Sequence, residues 1–291
     1  MRQSFGEWLQ AELSVKTQKI SVNAGFTCPN RDGRVGIGGC TFCNNQTFNP
    51  EYCHTSKSVA QQLEEGKRFF ARKYPSMRYL AYFQAYTNTY APLDELKHKY
   101  EEALGVDGVV GIVIGTRPDC MPPALLDYLE QLHRRTFILI EYGVESIYNH
   151  TLQRINRGHT WEVSVDAIRR TAARGIPVGA HLIMGLPGES VADMLAEADA
   201  MSDLPVKVLK LHQLQLIRQT HIADEYRRCP ADFVRFTPEE YARFVAQFIG
   251  RTRADIIFDR FVNQSPPQLL AEPGWGIKNY EFMELLKKEL R

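Results

Sequence analysis

The sequence predicts an α/β fold with a parallel sheet, either doubly wound or closed part-way into a (β/α) barrel. Three observations predict it. Apolar, β-branched runs alternate with stretches of helical spacing, the order that parallel pairing through right-handed crossovers requires. The runs are apolar almost without interruption, as strands covered on both faces should be. Polar residues and glycines gather where each run ends, and parallel α/β folds bind ligands at the carboxyl ends of their strands.

Taken in order, strands are expected at residues 19–25, 78–86, 108–116, 136–144, 177–185 and 206–215. Helices are expected between them at 58–73, 93–104, 122–134, 160–174 and 190–201. Ser58, Thr160 with Glu162 two residues on, and Ser190 after "GLPGE" supply helix start signals. Beyond residue 220 the pattern changes to a helix at 237–249, a short strand at 255–262, the Pro-rich turn "QSPPQLLAEPGWG" and a last helix at 278–290. Residues 1–220 therefore read as a core and 221–291 as an extension packed on it.

Composition narrows the function. At 291 residues and 44% hydrophobic, the chain can bury a sizeable core. Thirty-five Lys and Arg against thirty-four Asp and Glu leave a net charge of +1, with no global signature of nucleic-acid or membrane binding. The first residues lack an apolar signal region, and the most apolar run, "VVGIVIG" at 109–115, is too short to span a bilayer. A cytoplasmic protein with no membrane contact is expected, its six cysteines reduced and more apt for a metal or catalytic site than for disulfides. Nothing in the sequence sets an oligomeric state.

The stretch "CPNRDGRVGIGGCTFC" places Cys28, Cys40 and Cys43 around a Gly-rich loop that can fold back on a compact ion or cluster. A structural zinc site wants four ligands, and the fourth would have to be Cys53 or His54. An iron-sulfur cluster held by three thiolates instead keeps one iron open to a small ligand. A redox CxxC is disfavoured by the third cysteine upstream.

With Phe42 just before its last cysteine, this motif resembles that of the radical S-adenosylmethionine (SAM) superfamily, in particular the YhcC/YtqA-like group and the related Elp3-type core. The eleven residues between Cys28 and Cys40 depart from the usual short spacing, as that group also does. "GTRPD" (115–119), "GVES" (143–146), "NRGHT" (156–160) and "GLPGE" (185–189) are similar to its strand-end motifs, so the likeness spans about residues 17–220. Nothing downstream has the length of the Elp3 acetyltransferase half, so acyl transfer is not expected.

The resemblance implies a partial (β/α)6 TIM-like barrel with a C-terminal α/β extension. It implies a [4Fe-4S] cluster on Cys28, Cys40 and Cys43, with SAM on the fourth iron, and a 5'-deoxyadenosyl radical that abstracts hydrogen from substrate. It further implies an electron donor such as flavodoxin or ferredoxin. SAM contacts carry over to Ala85, Tyr86 and Thr87 at the methionine amino group and to Glu145 at the ribose or amino group. Arg157 would pair with the carboxylate. Thr116 and Arg117 end the third strand, where Asp119 offers either a contact or a turn cap, while Gly185 and Gly188 would let backbone approach adenine. The group's better understood relatives modify the side chain at C5 of the wobble uridine, which makes tRNA a candidate substrate. Lys278, Lys287, Lys288 and Arg291 are then available for phosphates, and Trp275 or Tyr280 for base stacking. Plain packing of Trp275, and ordinary roles for Cys53, Cys120, Cys229, His181 and His212, are the simpler expectations. Replacing Cys28, Cys40 or Cys43 by Ala should each abolish reductive SAM cleavage, measured as 5'-deoxyadenosine released, while Cys120→Ala and Cys229→Ala leave it intact.

Overall fold

The computed structural model describes residues 3–44, 50–71, 76–272 and 274–290. Residues 72 and 73 of the first predicted crossover helix, Pro273 of the Pro-rich turn and Arg291 lie outside them. Six of the strands fall where the sequence puts them: β1 (Thr17–Val22), β2 (Arg78–Phe83), β3 (Val109–Thr116), β4 (Phe137–Glu145), β5 (Val178–Met184) and β6 (Val208–Gln213). A seventh, β7 (Ile257–Arg260), comes from the extension. All pair in parallel in the order β1-β2-β3-β4-β5-β6-β7, so the extension continues the core's own sheet.

The crossover helices are α2 (Val59–Ala71), α3 (Leu93–Leu104), α4 (Pro123–His133), α6 (Trp161–Ala172) and α7 (Val191–Ser202). Two of the three expected start signals make cap bonds: Ser190 and Asp193 close a capping box on α7, and Ser58 Oγ accepts from Gln61 N at 3.1 Å at the start of α2. Thr160 stands at the α6 N-cap without a side-chain cap bond. The extension supplies α9 (Pro238–Arg251), which packs on α7, and α10 (Asn279–Glu289), which packs on α9. Short helices α5 (Asn149–Arg154) and α8 (His221–Arg228) were not expected.

Nor was α1 (Phe5–Leu13), which starts on a capping box between Ser4 and Glu7. Phe5, Trp8 and Leu9 enter the N-terminal end of the half-barrel and pack with Leu80, Val113, Phe137, Leu139, Val208 and Ile257. The helix is a plug: it covers the interior face of the strands, while the larger core fills the space between their outer face and the crossover helices. Its S-x-x-E start and the apolar positions 5, 8, 9 and 13 were the signal available in the sequence.

Above the plug, the interior carries charge. Lys19 on β1 reaches Glu141 on β4 at 3.2 Å and Asp259 on β7 at 2.5 Å. Lys210 on β6 reaches the same two carboxylates at 2.8 and 3.2 Å, and Tyr82 Oη at 3.1 Å. β1 and β7 are the two edges of the sheet, so this network ties the half-barrel across its lumen. Burial alone would raise the Glu141 pKa; Lys19 and Lys210 outweigh it and hold the carboxyl well below its usual range. Lys210→Met should therefore destabilise the protein by about 3–5 kcal/mol, since it leaves buried carboxylates short of a partner; urea unfolding measures it.

Candidate active site

The cysteine loop is held at the C-terminal end of the barrel by its own backbone and by α5. Cys28 O accepts from Arg31 N at 2.9 Å, Pro29 O from Val35 N at 2.8 Å, and Asn30 O from Gly39 N at 2.8 Å. From the other side, Asn156 in a left-handed conformation (φ +52°) donates through Nδ2 to Gly39 O at 2.8 Å, and its carbonyl accepts from Asn30 Nδ2. Thr41 N donates to Ile155 O at 3.0 Å, and Ile222 N at the start of α8 donates to Thr41 O at 3.0 Å. Gly158 (φ +75°) leaves no room for a Cβ, which would meet Val35, Asn30 and Arg117. The "NRG" of the 156–160 motif is thus the loop's anchor.

Cys28, Cys40, Phe42 and Cys43 line a cavity of about 200 Å³ together with Tyr86, Thr87, Thr116, Arg117, Glu145 and Arg157. Ten of the residues singled out from the sequence meet there. Ala85, Gly185 and Gly188 do not line it: Ala85 is buried. Gly185 (φ +93°) packs on Val234 O, and Gly188 N donates to Asp232 O at 2.8 Å. The two glycines fit the strand end against the link between α8 and α9.

The charges within the cavity are arranged around Cys40. Arg157, buried, donates from Nη1 to Cys40 Sγ at 3.5 Å, from Nε to His159 Nε2 at 3.0 Å and from Nη2 to Gly143 O at 2.6 Å, with Glu145 Oε1 at 3.3 Å. Asn30 Nδ2 also points at Cys40 Sγ, at 3.6 Å. Burial, then the neighbouring Cys40, pushes the Cys43 thiol up to about 11. Burial and the Arg157 charge bring His159 down to about 3, so it accepts from Arg157 as a neutral ring. Glu145 (φ +70°) sits beyond a register shift between β4 and β5, a left-handed non-glycine residue at the cavity wall.

Two residues of the cavity lining each carry a buried polar atom with no hydrogen-bond partner among the described residues, Thr87 Oγ1 and Arg117 Nη1. Arg117 is otherwise paired with Asp119 through Nε and Nη2, both at 2.9 Å, so Asp119 serves the arginine rather than the turn. Thr116 Oγ1 meets Thr89 Oγ1 at 2.5 Å. Tyr86 (φ +60°) stands at the rim with the Arg31 guanidinium 5.6 Å from its ring centre.

The other cysteines do not line this cavity. Cys53 Sγ donates to Ser21 O at 2.9 Å and burial raises its thiol to about 12; Cys120 is likewise buried and raised to about 12; Cys229 is exposed. His54 Nδ1 meets Ser56 Oγ at 2.9 Å at the surface. Among the described residues no group of three or more His, Cys, Asp or Glu side chains is arranged to hold a single metal ion. Trp275 packs on Tyr241 and Phe282 and donates to Phe236 O at 3.0 Å, whereas Tyr280 is exposed beside Lys278.

Sequence reasoning missed most of the cavity's inner wall. His181 and His212, expected in ordinary roles, line it together with Tyr82, Glu141, Gln213 and Asn263, and these come from four strands and the segment after β7. Gln213 clamps the Asn263 backbone at 2.6 and 3.1 Å, and Gln215 bonds Asn263 O at 3.0 Å and Ser265 N at 3.2 Å. The extension is thereby laid along the cavity.

A fold of parallel strands with three thiols at its carboxyl end defines a class, and comparison with known proteins names it. The model of the family described as Radical SAM superfamily matches residues 25–201, and that of the Radical_SAM C-terminal domain matches 206–291. The chain belongs to the radical SAM superfamily, as an enzyme whose cofactors are a [4Fe-4S] cluster and SAM and which needs an electron donor. Within it the chain matches the YhcC/YtqA-like group. It is 35% identical to protein YhcC of Escherichia coli over 98% of this chain and 91% of that one, and 34% identical to the uncharacterized protein YtqA of Bacillus subtilis over 97% and 87%. A more distant relative, the tRNA uridine(34) acetyltransferase of Methanocaldococcus infernus, is 28% identical over 62% of this chain and 33% of its own length. The solved Elp3 of the same archaeon shares the fold, with a TM-score of 0.64 and 18% identity over 94% of this chain and 64% of that one. Among the described residues no helix is long and apolar enough to cross a membrane.

A Cβ on Gly143 would lie inside contact distance of both Glu145 Oε1 and Arg157 Nη2. Gly143→Ala should cost about 1–3 kcal/mol of stability by overpacking, read from the urea midpoint.

Proposed function

We propose that this enzyme uses radical SAM chemistry to modify the C5 side chain of the wobble uridine in tRNA. The observation that carries the site is the meeting, in one cavity, of three cysteines with Thr87 and Arg117, each of which has a buried polar atom without a partner among the described residues. The donor set suits the cofactors: Cys28, Cys40 and Cys43 hold the cluster, while Thr87 and Arg117 offer bonds to the polar end of SAM. When bound, cluster and SAM together supply an electron and a carbon-centred radical able to remove hydrogen from an unactivated carbon. Every nitrogen of Arg157 already has a partner, so this reading moves the SAM carboxylate to Arg117 and gives Arg157 and Asn30 the task of stabilising the Cys40 thiolate by hydrogen bonds to its sulfur. Glu145 keeps Arg157 in place and faces the cofactor. Gln213 and Gln215 hold the 263–265 segment along the cavity, where it excludes water from a reactive site.

The tRNA part of the reading is supported by likeness to the uridine(34) acetyltransferase and by exposed Tyr280, with Lys278 at the N-cap of α10 and Lys287 and Lys288 in its last turn. A cytoplasmic location, where flavodoxin or ferredoxin can serve as reductant, belongs to the same reading.

Arg117→Met should weaken SAM binding by about 1.5–3 kcal/mol, the worth of a charged hydrogen bond, with iron content near normal; equilibrium dialysis of the reconstituted protein measures both. Mass spectrometry of tRNA nucleosides from cells with and without the gene should show one wobble-uridine nucleoside altered. An identical profile, with no tRNA binding at low salt, rejects RNA as substrate in favour of a small metabolite or a protein side chain.

A further inference from the structure

His181 on β5 and His212 on β6 stand side by side on the inner wall, ring centroids 5.2 Å apart. Each has one nitrogen committed. His181 Nε2 lies 2.9 Å from Glu141 Oε2, an ionised acceptor, so that nitrogen carries the proton. His212 Nδ1 lies 2.7 Å from Asn263 Oδ1, which can only accept, so the proton sits there. The remaining nitrogens, His181 Nδ1 and His212 Nε2, hold lone pairs and have no hydrogen-bond partner among the described residues. Two side-chain amide groups on the same wall are also uncommitted: Gln84 accepts from Ser21 Oγ but its Nε2 donates to nothing described, and the same holds for Asn263 Nδ2.

The two histidines on this wall are neutral, beside the paired Glu141 carboxylate. Lys19 and Lys210 are spent on Glu141 and Asp259. His181 faces Glu141 and Glu145 on β4 and Lys210 and His212 on β6, and burial followed by the Lys210 charge lowers its pKa. His212 faces His181, Lys210 and Arg260, and burial with these neighbours holds it well below the ordinary imidazole value. Phe42, Ile183, Leu214 and Ile217 give the same cavity an apolar side.

We propose that His181 Nδ1 and His212 Nε2 form a paired acceptor site for the substrate, taking a neutral cyclic amide whose ring N–H they bind and whose flanking carbonyls the Gln84 and Asn263 amides bind. This rests on the reading of the cavity as the place where substrate meets the radical. A ring of the same shape whose N–H is replaced by N–CH3 offers the pair no donor and leaves its lone pairs unsatisfied. His181 and His212 act here as specificity-determining residues.

Diethyl pyrocarbonate, which acylates unprotonated imidazole nitrogen, tests the site in the anaerobic holoenzyme with SAM bound, read residue by residue by peptide mass spectrometry. An imidazole of ordinary basicity slows about tenfold between about pH 7.5 and about pH 5.5, whereas His181 should slow less than that and His212, held further down, least. Millimolar uridine should slow both about threefold or more by occupying the wall, and 3-methyluridine, which lacks the ring N–H, should not. Reaction that follows ordinary imidazole titration, absence of protection by uridine, or equal protection by 3-methyluridine would each overturn the proposal. Release of 5'-deoxyadenosine on reduction is measured on the same sample. SAM cleavage without protection refutes the histidine site and leaves the radical reading standing; protection without SAM cleavage does the reverse.

Discussion

The buried ion network of Lys19, Glu141, Lys210 and Asp259 is the constraint on which the rest of the molecule depends. A seven-stranded parallel sheet has two free edges, and sheet twist alone does not bring them together. Here the first and last strands share a lysine and a carboxylate inside the lumen, with β4 and β6 supplying the counterparts. Gly179 makes the arrangement possible, since a Cβ there would press on Glu141 Cγ at 3.0 Å. Four charges that cancel are tolerable in a dry interior only when each is paired, so strand register and barrel curvature are set together.

The network also divides the lumen into levels with different chemistry. Below it the α1 plug makes the interior apolar and closed. Above it His181 and His212 are polar but neutral, because burial and the charge of Lys210, one of the two lysines that depress Glu141, disfavour a proton on them. Above these lies the cysteine loop, where the positive charge of Arg157 is aimed at sulfur. A radical site needs such a gradient: bound groups are oriented by fixed dipoles, while water and mobile charges stay outside.

The cysteine loop shows how a sequence motif works at a distance. Its own turns are local, but its position comes from the 155–158 segment and from α8, more than one hundred residues away. Asn156 in a left-handed conformation and Gly158 without a side chain are what allow that segment to lie flat against it. The motifs "CPNRDG" and "NRGHT" are therefore two halves of one structure.

How much was legible in the sequence follows from the range of the forces involved. Alternation of apolar strands and amphipathic helices is written in local periodicity, so six strands and the main helices could be placed within a few residues, and three cysteines around a Gly-rich loop announce their chemistry without a fold. The α1 capping box was equally local and was there to be read. What pairs with what was not: Arg117 and Arg157 are both arginines near a strand end, and only the three-dimensional arrangement shows one with a free buried N–H and the other fully engaged. Likewise His181 and His212, each an unremarkable polar residue in an apolar strand, become a pair because β5 and β6 are adjacent and in register, His181 opposite Lys210 and Ile183 opposite His212. The amino-acid sequence determined the class of chemistry and the order of the strands; the tertiary structure alone decided which polar groups are spent on one another and which are left to face a ligand, because that depends on contacts between residues far apart in the chain.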